Sequence, residues 1–408
     1  MPDVPEGSRS VRCSSVRLSV RANLPRPAGG PRLARPFGVS MPIKPLHAEH
    51  PVEEISVVSE TGEVDAALEP TLDADALRRL YRAMVLTRKL DERMIAMQRQ
   101  GEMGTFAPGR GQEATQLGQV YPLEAKDWFS PSYRSFGAQL WRGWTIEQLM
   151  LLWDGFFEGF APPEGVNDLP FSIVIGAHVP VAVGVAMGLK YRGSDAVMLT
   201  NFGDGASSEG DVSEAMNFAS VYKAPVVFVC ENNGYAISMP FEQQTGVKSL
   251  AHRGPAFGMP GLRVDGNDLL AMIVATRRAV ERARAGEGPS LIEAVTFRME
   301  MHTTADDPKV YRTDDEVLKW QKKDPIVRFE QYLRVKGALN DADVEQIARD
   351  AVEQVLAGRE AFRRRAVPNP REVFNFVFRR PSAEHDAQKA EYLERLERTL
   401  GGQTPKPV

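Results

Sequence analysis

Two short runs of consecutive apolar residues, separated by a segment of helical length, form the clearest pattern in this chain. The first run covers residues 196–202 and the second covers residues 225–230, and both are continuous enough to be buried strands. Between them, residues 209–222 place Met216 and Ala219 on one side of a predicted helix. A strand–helix–strand unit of this length predicts parallel strands joined by a right-handed crossover.

Polar turns end both of these predicted strands. Gly203, Asp204 and Gly205 follow the first strand, and Asn233 with Gly234 ends the second. Because ligands bind beyond the carboxyl ends of parallel strands, the two turns are expected at one site. A carboxylate, an amide oxygen and a turn carbonyl suit Mg²⁺, and the glycines let the backbone approach phosphates closely. The pattern predicts a site for a divalent metal that holds a diphosphate.

Two further helices are predicted from periodicity. The first begins after Thr71, which can cap it, and stops at Gly101. The second covers residues 179–191 and is expected to be buried, with Gly184 and Gly188 four positions apart. Small residues at this spacing allow close helix packing, which indicates a subunit interface.

The rest of the chain indicates an α/β fold with a mostly parallel sheet and helices on both faces. Residues 173–175 are predicted as the apolar end of a strand, and residues 267–285 and 290–297 as a helix followed by a strand. The sequence from Thr313 onward is rich in charged residues and is predicted to be helical. Alternating phenylalanines over residues 374–378 predict a short extended segment.

Three regions follow from these patterns: a tail over residues 1–48, a ligand-binding domain over residues 70–340 and a helical C-terminal extension over residues 341–408. The tail holds seven arginines and resembles a mitochondrial transit peptide, but its prolines favour a simple tail or a start at Met41. We therefore expect a bacterial cytoplasmic protein, with the mitochondrial matrix as the alternative.

Composition narrows the function classes. The 408-residue chain is 43% hydrophobic with a net charge of −4, so it can bury a core and shows no sign of binding nucleic acid. The longest apolar stretch, residues 173–189, is interrupted by His178 and Pro180 and is short for a membrane span. Only Cys13 and Cys230 occur, so no disulfide is expected and a reducing compartment is favoured.

Six motifs across residues 72–337 together resemble the alpha subunit of the heterotetrameric, thiamine-diphosphate-dependent 2-oxo acid dehydrogenases. These motifs are GTFAPGRGQEA (104–114), SYR (132–134), IGAHVP (175–180), FGDGASSEGD (202–211), ENNGYAIS (231–238) and MHTTADDPKVYR (301–312). The resemblance implies a thiamine-diphosphate-binding fold with Mg²⁺ as the second cofactor.

The resemblance also assigns roles to individual residues. The implied metal ligands are Asp204, Asn233 and the backbone carbonyl of Tyr235. His302 is the implied catalytic residue, which reaches the cofactor and an incoming lipoyl group. The implied cofactor-binding set is Tyr133, Arg134, Ile173, Ile175, Gly203, Asp204, Gly205, Ala206, Asn233, Tyr235 and His302.

Some positions depart from the family pattern. Glu231 stands where many mitochondrial members have a phosphate-binding arginine, so the diphosphate is expected to depend more on Arg134 and on backbone amides. His178 replaces a common glutamine. It is either a residue that faces the cofactor or substrate, or a core histidine bonded to backbone, and the second alternative is favoured.

The implied reaction is oxidative decarboxylation of pyruvate with acyl transfer to the lipoyl domain of an acyltransferase. The segment at residues 163–167 favours pyruvate over branched-chain 2-oxo acids or acetoin. The glutamate that activates the cofactor comes from a separate beta chain in this family, so an α₂β₂ heterotetramer is expected. The competing hypotheses are a non-catalytic scaffold subunit and a nucleotide-binding protein, although no G-x-G-x-x-G opens a β-α-β unit here.

Overall fold

The computed structural model describes residue 50, residues 52–365 and residues 372–400. The predicted tail of residues 1–48, including Cys13, lies outside the described residues. The strands are β1 Val52–Ile55, β2 Trp128–Ser130, β3 Met198–Gly203, β4 Val226–Asn232, β5 Tyr235–Ala236, β6 Met239–Pro240, β7 Gly261–Asp265 and β8 Ser290–Val295.

Thirteen α-helices are assigned within the described residues. They are α1 Ala74–Arg99, α2 Glu113–Val120, α3 Phe136–Trp141, α4 Ile146–Trp153, α5 His178–Tyr191, α6 Gly210–Val221, α7 Phe241–Gln244, α8 Arg253–Ala256, α9 Leu269–Arg284, α10 Asp314–Gln321, α11 Pro325–Val335, α12 Asp341–Arg363 and α13 Ala383–Leu400. None of these helices is both long enough and apolar enough to cross a membrane.

A six-stranded sheet in the order β1-β7-β8-β4-β3-β2 forms the centre of the fold, and every neighbouring pair in it is parallel. The predicted unit is confirmed as β3-α6-β4, with Gly203 opposite Glu231. The carboxyl ends of β3 and β4 therefore lie side by side. Strand β1 extends the sheet ahead of residue 70, where the ligand-binding domain was predicted to begin.

Alternate residues of the central strands pack against helices on opposite faces of the sheet. Leu199 and Val227 join the cluster that includes residues of α1, α2, α9 and α11. Met198, Phe228 and Cys230 join the other cluster, with residues of α5 and α6. This alternation follows from the two-residue period of a strand and confirms the prediction of helices on both faces.

Helix α1 begins two residues later than the Thr71 cap predicts. Asp73 is the N-cap, and its side chain accepts a hydrogen bond from the amide of Ala76 at 2.7 Å. Thr71 is wrong as a cap because it precedes the N-cap by two residues, so it does not occupy the position whose side chain bonds the first free amides. Gly101 follows the helix with φ +74° and confirms the predicted stop.

The apolar residues 173–175 do not form a strand. They lie in an exposed turn, with Ile173 61% exposed and Val174 66% exposed. The chain leaves the sheet after the bridge between Phe129 and Asp168, and Pro170 has no amide hydrogen to continue the pairing. Sequence periodicity cannot distinguish a buried apolar run from one that faces a ligand or another chain.

Two other predictions of burial or extension are also wrong. Helix α5 is buried on one side only, because Val181 is 56% exposed and Tyr191 is 93% exposed. Residues 374–378 form turns instead of an extended segment. Phe374 packs edge-on against His385, whereas Phe376 points away from the core and is mostly exposed.

Candidate active site

A cavity of about 230 Å³ opens at the carboxyl ends of β3 and β4, where the sequence predicts the metal–diphosphate site. Ten of the eleven predicted site residues line it, and Ile173 is the one that does not. The ten are Tyr133, Arg134, Ile175, Gly203, Asp204, Gly205, Ala206, Asn233, Tyr235 and His302. The sheet edge supplies the turns after both strands, and two loops from elsewhere in the chain close the cavity around them.

Asp204 is a buried carboxylate that needs a positive partner. It is 1% exposed, and its Oδ2 atom has no hydrogen-bond partner among the described residues. Burial raises the pKa of Asp204 to about 6, opposed by the backbone amide of Asn233 and the charge of Arg298. A buried, unpaired carboxylate is costly, so this atom fits a bound cation.

The oxygens beside Asp204 complete a donor set of the kind Mg²⁺ uses. Asn233 Oδ1 accepts a hydrogen bond from the amide of Tyr235 at 3.3 Å, which fixes the turn, and the Tyr235 hydroxyl donates to Glu316 at 2.7 Å. The described residues contain no cluster of three or more His, Cys, Asp or Glu side chains that could hold a metal. One carboxylate with amide and backbone oxygens matches Mg²⁺ bound mainly through phosphate.

Two buried guanidinium groups approach the same ring nitrogen of His302. Arg134 comes from the turn after β2, and its Nη2 lies 3.4 Å from His302 Nδ1. Arg298 comes from the segment after β8, and its Nη1 lies 3.2 Å from the same nitrogen. Neither arginine has an ion-pair partner among the described residues. The cavity lining therefore combines these two arginines with three acids, Asp204, Glu209 and Glu231, and none of the five has an ion-pair partner among the described residues. The arginines suit a bound anion, and the unsatisfied oxygen of Asp204 suits a metal bound with it.

His302 is held as a neutral imidazole. Burial, followed by the charges of Arg134 and Arg298, lowers the pKa of His302 to about 4. Because Nδ1 faces two N–H donors, it accepts, and the ring proton lies on Nε2. His302 is thus a hydrogen-bond donor through Nε2, while its backbone amide donates to Asp306 at 2.8 Å.

Ile237 lines the same cavity in an unusual backbone conformation. Its φ is +59°, in the two-residue turn that joins β5 to β6. The first central position of such a turn favours glycine. A β-branched residue in the left-handed region is a steric outlier, and strain of this kind costs about 1–3 kcal/mol.

Comparison with known proteins gives the same assignment as the geometry. The profile of the family described as "Dehydrogenase E1 component" matches residues 81–370. The chain belongs to the dehydrogenase E1 component family. It is 46% identical over 307 residues to the protein named "Pyruvate dehydrogenase E1 component subunit alpha" of Staphylococcus epidermidis, covering 75% of this chain and 83% of the relative. The protein of the same name in Staphylococcus aureus is 47% identical over 312 residues, covering 76% and 84%.

As an E1 component, the chain is part of a thiamine-diphosphate-dependent 2-oxo acid dehydrogenase. Membership implies a 2-oxo acid substrate and a beta-subunit partner. The unpaired oxygen of Asp204 and the guanidinium groups of Arg134 and Arg298, which line the same pocket, fit the metal-bound diphosphate of that cofactor.

Several residues of the E1 pocket were not among the predicted site residues. Arg298 follows a predicted strand directly, so the rule that ligands bind at strand ends could have found it. Glu231 lines the pocket as a buried acid, and its Oε1 accepts hydrogen bonds from Gln119 and Asn201, both at 2.8 Å. Burial raises the pKa of Glu231. No pattern in the neighbouring sequence predicts that Ile237 lines the pocket.

His178 is not part of the E1 pocket lining. Its Nε2 lies 2.7 Å from the carbonyl oxygen of Asn201, and the ring is buried. Burial lowers the pKa of His178, so the ring is a neutral donor to that carbonyl. The prediction of a core histidine bonded to backbone is confirmed.

Proposed function

We propose that this E1 chain is an alpha subunit that decarboxylates pyruvate, using thiamine diphosphate and Mg²⁺, and passes the acyl group to a lipoyl domain. The observation that carries the proposal is the pocket in which the unpaired Asp204 carboxylate lies near the unpaired guanidinium groups of Arg134 and Arg298. The two Staphylococcus relatives are named as pyruvate dehydrogenase subunits, which supports pyruvate as the substrate, and both come from bacteria, which supports a bacterial protein. The proposed location is the bacterial cytoplasm.

The proposed metal ligands are the Asp204 carboxylate, the Asn233 amide oxygen and the Tyr235 carbonyl. Arg134 and Tyr133 bind the diphosphate. The backbone at Gly203, Gly205 and Ala206 approaches the phosphates, because glycine at two of these positions leaves room for them. Ile175 packs beside the cofactor's pyrimidine ring, and the backbone of Ile173 is proposed to contact the same ring from outside the pocket lining.

Thiamine diphosphate, when bound, supplies the electron sink that decarboxylation of a 2-oxo acid requires. His302 donates a hydrogen bond from Nε2 to the substrate oxygen and stabilises negative charge there. Arg134 and Arg298 keep the imidazole neutral and fix its orientation through Nδ1. We therefore assign His302 the role of a donor in place of a general base.

The proposed assembly is an α₂β₂ heterotetramer, in which the beta chain provides the glutamate for the pyrimidine ring. Residues 70–340 are proposed to bind the cofactor's diphosphate side, and residues 341–408 are proposed as a C-terminal extension, whose described part contains α12 and α13. Helix α12 of that extension packs against α1 and α4. It also holds the loop after α1, where Arg359 Nε donates to Glu102 at 3.0 Å.

The test is calorimetric titration of thiamine diphosphate in the presence of Mg²⁺ into the complex of this chain with its beta partner. Asp204→Ala is expected to weaken binding at least about tenfold, because it removes the only carboxylate among the proposed ligands. Asp75→Ala removes an exposed acid outside the pocket and is the matched control. Unchanged affinity in Asp204→Ala would contradict the proposal and favour a scaffold subunit.

Steady-state kinetics on the same complex assign the substrate. A higher kcat/KM is expected for pyruvate than for 3-methyl-2-oxobutanoate. The reverse order would contradict pyruvate as the substrate while leaving the cofactor assignment intact.

A further inference from the structure

Ile237, in the turn between β5 and β6, adopts a backbone conformation that β-branched residues rarely adopt, and it lines the active-site pocket. The residue is β-branched, and its φ of +59° lies in the left-handed region. Glycine avoids the steric clash at this position of a two-residue hairpin turn, and asparagine tolerates it. Some favourable interaction of the isoleucine must therefore offset the strain.

Backbone hydrogen bonding does not provide that interaction. The carbonyl oxygen of Ile237 accepts a hydrogen bond from Arg298 Nη2 at 2.9 Å. Glycine or asparagine in the same conformation would present the same carbonyl with less strain. The reason for isoleucine must therefore lie in its side chain.

Packing within the chain does not provide it either. The Ile237 side chain is 57% exposed and belongs to none of the apolar clusters that the described residues form. It does line the pocket, as does Ile175. Because this apolar side chain is not buried by its own fold, the favourable free energy of its burial must come from contact with a bound molecule.

We infer that the Ile237 side chain packs against the apolar surface of the ligand in this pocket and helps to determine which ligand is accepted. The inference rests on the proposed function. Two sources of apolar surface are available there, the rings of thiamine diphosphate and the acyl chain of the 2-oxo acid. Arg298 connects the backbone of Ile237 to His302, because its Nη2 donates to the Ile237 carbonyl and its Nη1 lies 3.2 Å from His302 Nδ1. Ile237 and His302 also line the same pocket.

The test uses the chain assembled with its beta partner and the variants Ile237→Gly and Ile237→Asn. Without ligand, both variants are expected to melt about 1–3 °C higher, because the strain is relieved. Both variants are expected to show an increase of about tenfold in either the Kd of thiamine diphosphate or the KM of pyruvate. An increase in the Kd of thiamine diphosphate assigns the contact to the cofactor, and an increase in the KM of pyruvate at saturating cofactor assigns it to the acyl chain.

Two further variants are matched controls. Ile237→Val keeps the strain and most of the apolar surface, and it is expected to keep both constants within about twofold of the wild type. Met239→Ala removes an exposed apolar side chain of the same hairpin that does not line the pocket, and it is expected to change neither constant.

Wild-type Kd and KM in both Ile237→Gly and Ile237→Asn would overturn the inference. Weaker assembly with the beta chain, together with wild-type Kd and KM in the complex that still forms, would overturn it too and would assign the side chain to the subunit interface. Failure of the wild-type complex to bind thiamine diphosphate is a separate result, which contradicts the proposed function and this inference with it.

Discussion

His302 shows how neighbouring charges determine the chemistry of a single residue. A histidine in water is half-protonated near pH 6.5, but two guanidinium groups and burial keep this imidazole neutral. The same two groups occupy Nδ1, so only Nε2 is free to reach a ligand. A residue type that usually exchanges protons near neutral pH is thereby restricted to donating a hydrogen bond.

The lowered pKa of His302 predicts a specific pH dependence of stability. Because the folded pKa of about 4 lies below the unfolded value of about 6.5, the stabilising contribution is present above pH 6.5. It is lost as the pH falls towards 4. The glutamine in His302→Gln does not titrate. As the pH falls from 6.5 to 4, the melting temperature of the wild type is therefore expected to decrease relative to that of the variant. A constant difference over that range would contradict a neutral, buried imidazole.

At the scale of secondary-structure elements, the loop that carries His302 is supported by hydrogen bonds to the loop that follows α1. Helix α1 is fixed at its start by Asp73, and the loop that follows it is bonded to the His302 segment. The amide of Phe106 donates to Thr304 Oγ1 at 3.2 Å, and the amide of Thr304 donates to the carbonyl of Phe106 at 3.0 Å. The His302 loop is therefore supported by a segment almost two hundred residues earlier in the chain.

The observed cap of α1 can be tested against the cap that the sequence suggested. Asp73→Ala is expected to reduce the free energy of unfolding by about 1 kcal/mol, because the amide of Ala76 loses its acceptor. Thr71→Ala is the matched control and is expected to have no measurable effect. Equal losses from the two substitutions in thermal or urea unfolding would show that Asp73 is not the cap.

At the scale of the whole molecule, the fold leaves apolar side chains exposed on the two helices that cover one face of the sheet. Helix α5 exposes Val181 and Tyr191, and helix α6 exposes Phe218 and Val221. Exposed apolar patches of this kind mark sites of protein association. They lie in the region for which Gly184 and Gly188 predict a subunit interface, and that interface stays a prediction.

A charged residue on the exposed apolar face of α5 and α6 is expected to disrupt assembly with the beta chain. Val181→Asp is expected to prevent stable association with the co-expressed beta chain, because it places a charge in a desolvated interface. Val335→Asp alters a valine on α11 that is more exposed than Val181, and it is expected to leave assembly intact. Light scattering after size-exclusion chromatography measures both. Full assembly of Val181→Asp would exclude this face from the interface.

Local signals in the amino-acid sequence are sufficient to predict the central β-α-β unit and the two turns that follow its strands. Continuous apolar runs specify β3 and β4, helical periodicity specifies α6, and glycine turns after the strands place Asp204 and Asn233 at one sheet edge. These follow from the geometry of a single β-α-β unit, so no distant contact is needed to predict them.

Features that depend on contacts between segments far apart in the chain could not be predicted in this way. The tertiary structure brought Arg134 and Arg298 to the same ring nitrogen of His302, and it placed Ile237 in the pocket lining with a strained backbone. It also exposed residues 173–175, whose apolar pattern is typical of a buried strand. Charge pairing, strain and exposure are properties of the surroundings of a residue, and the surroundings exist only after the chain has folded.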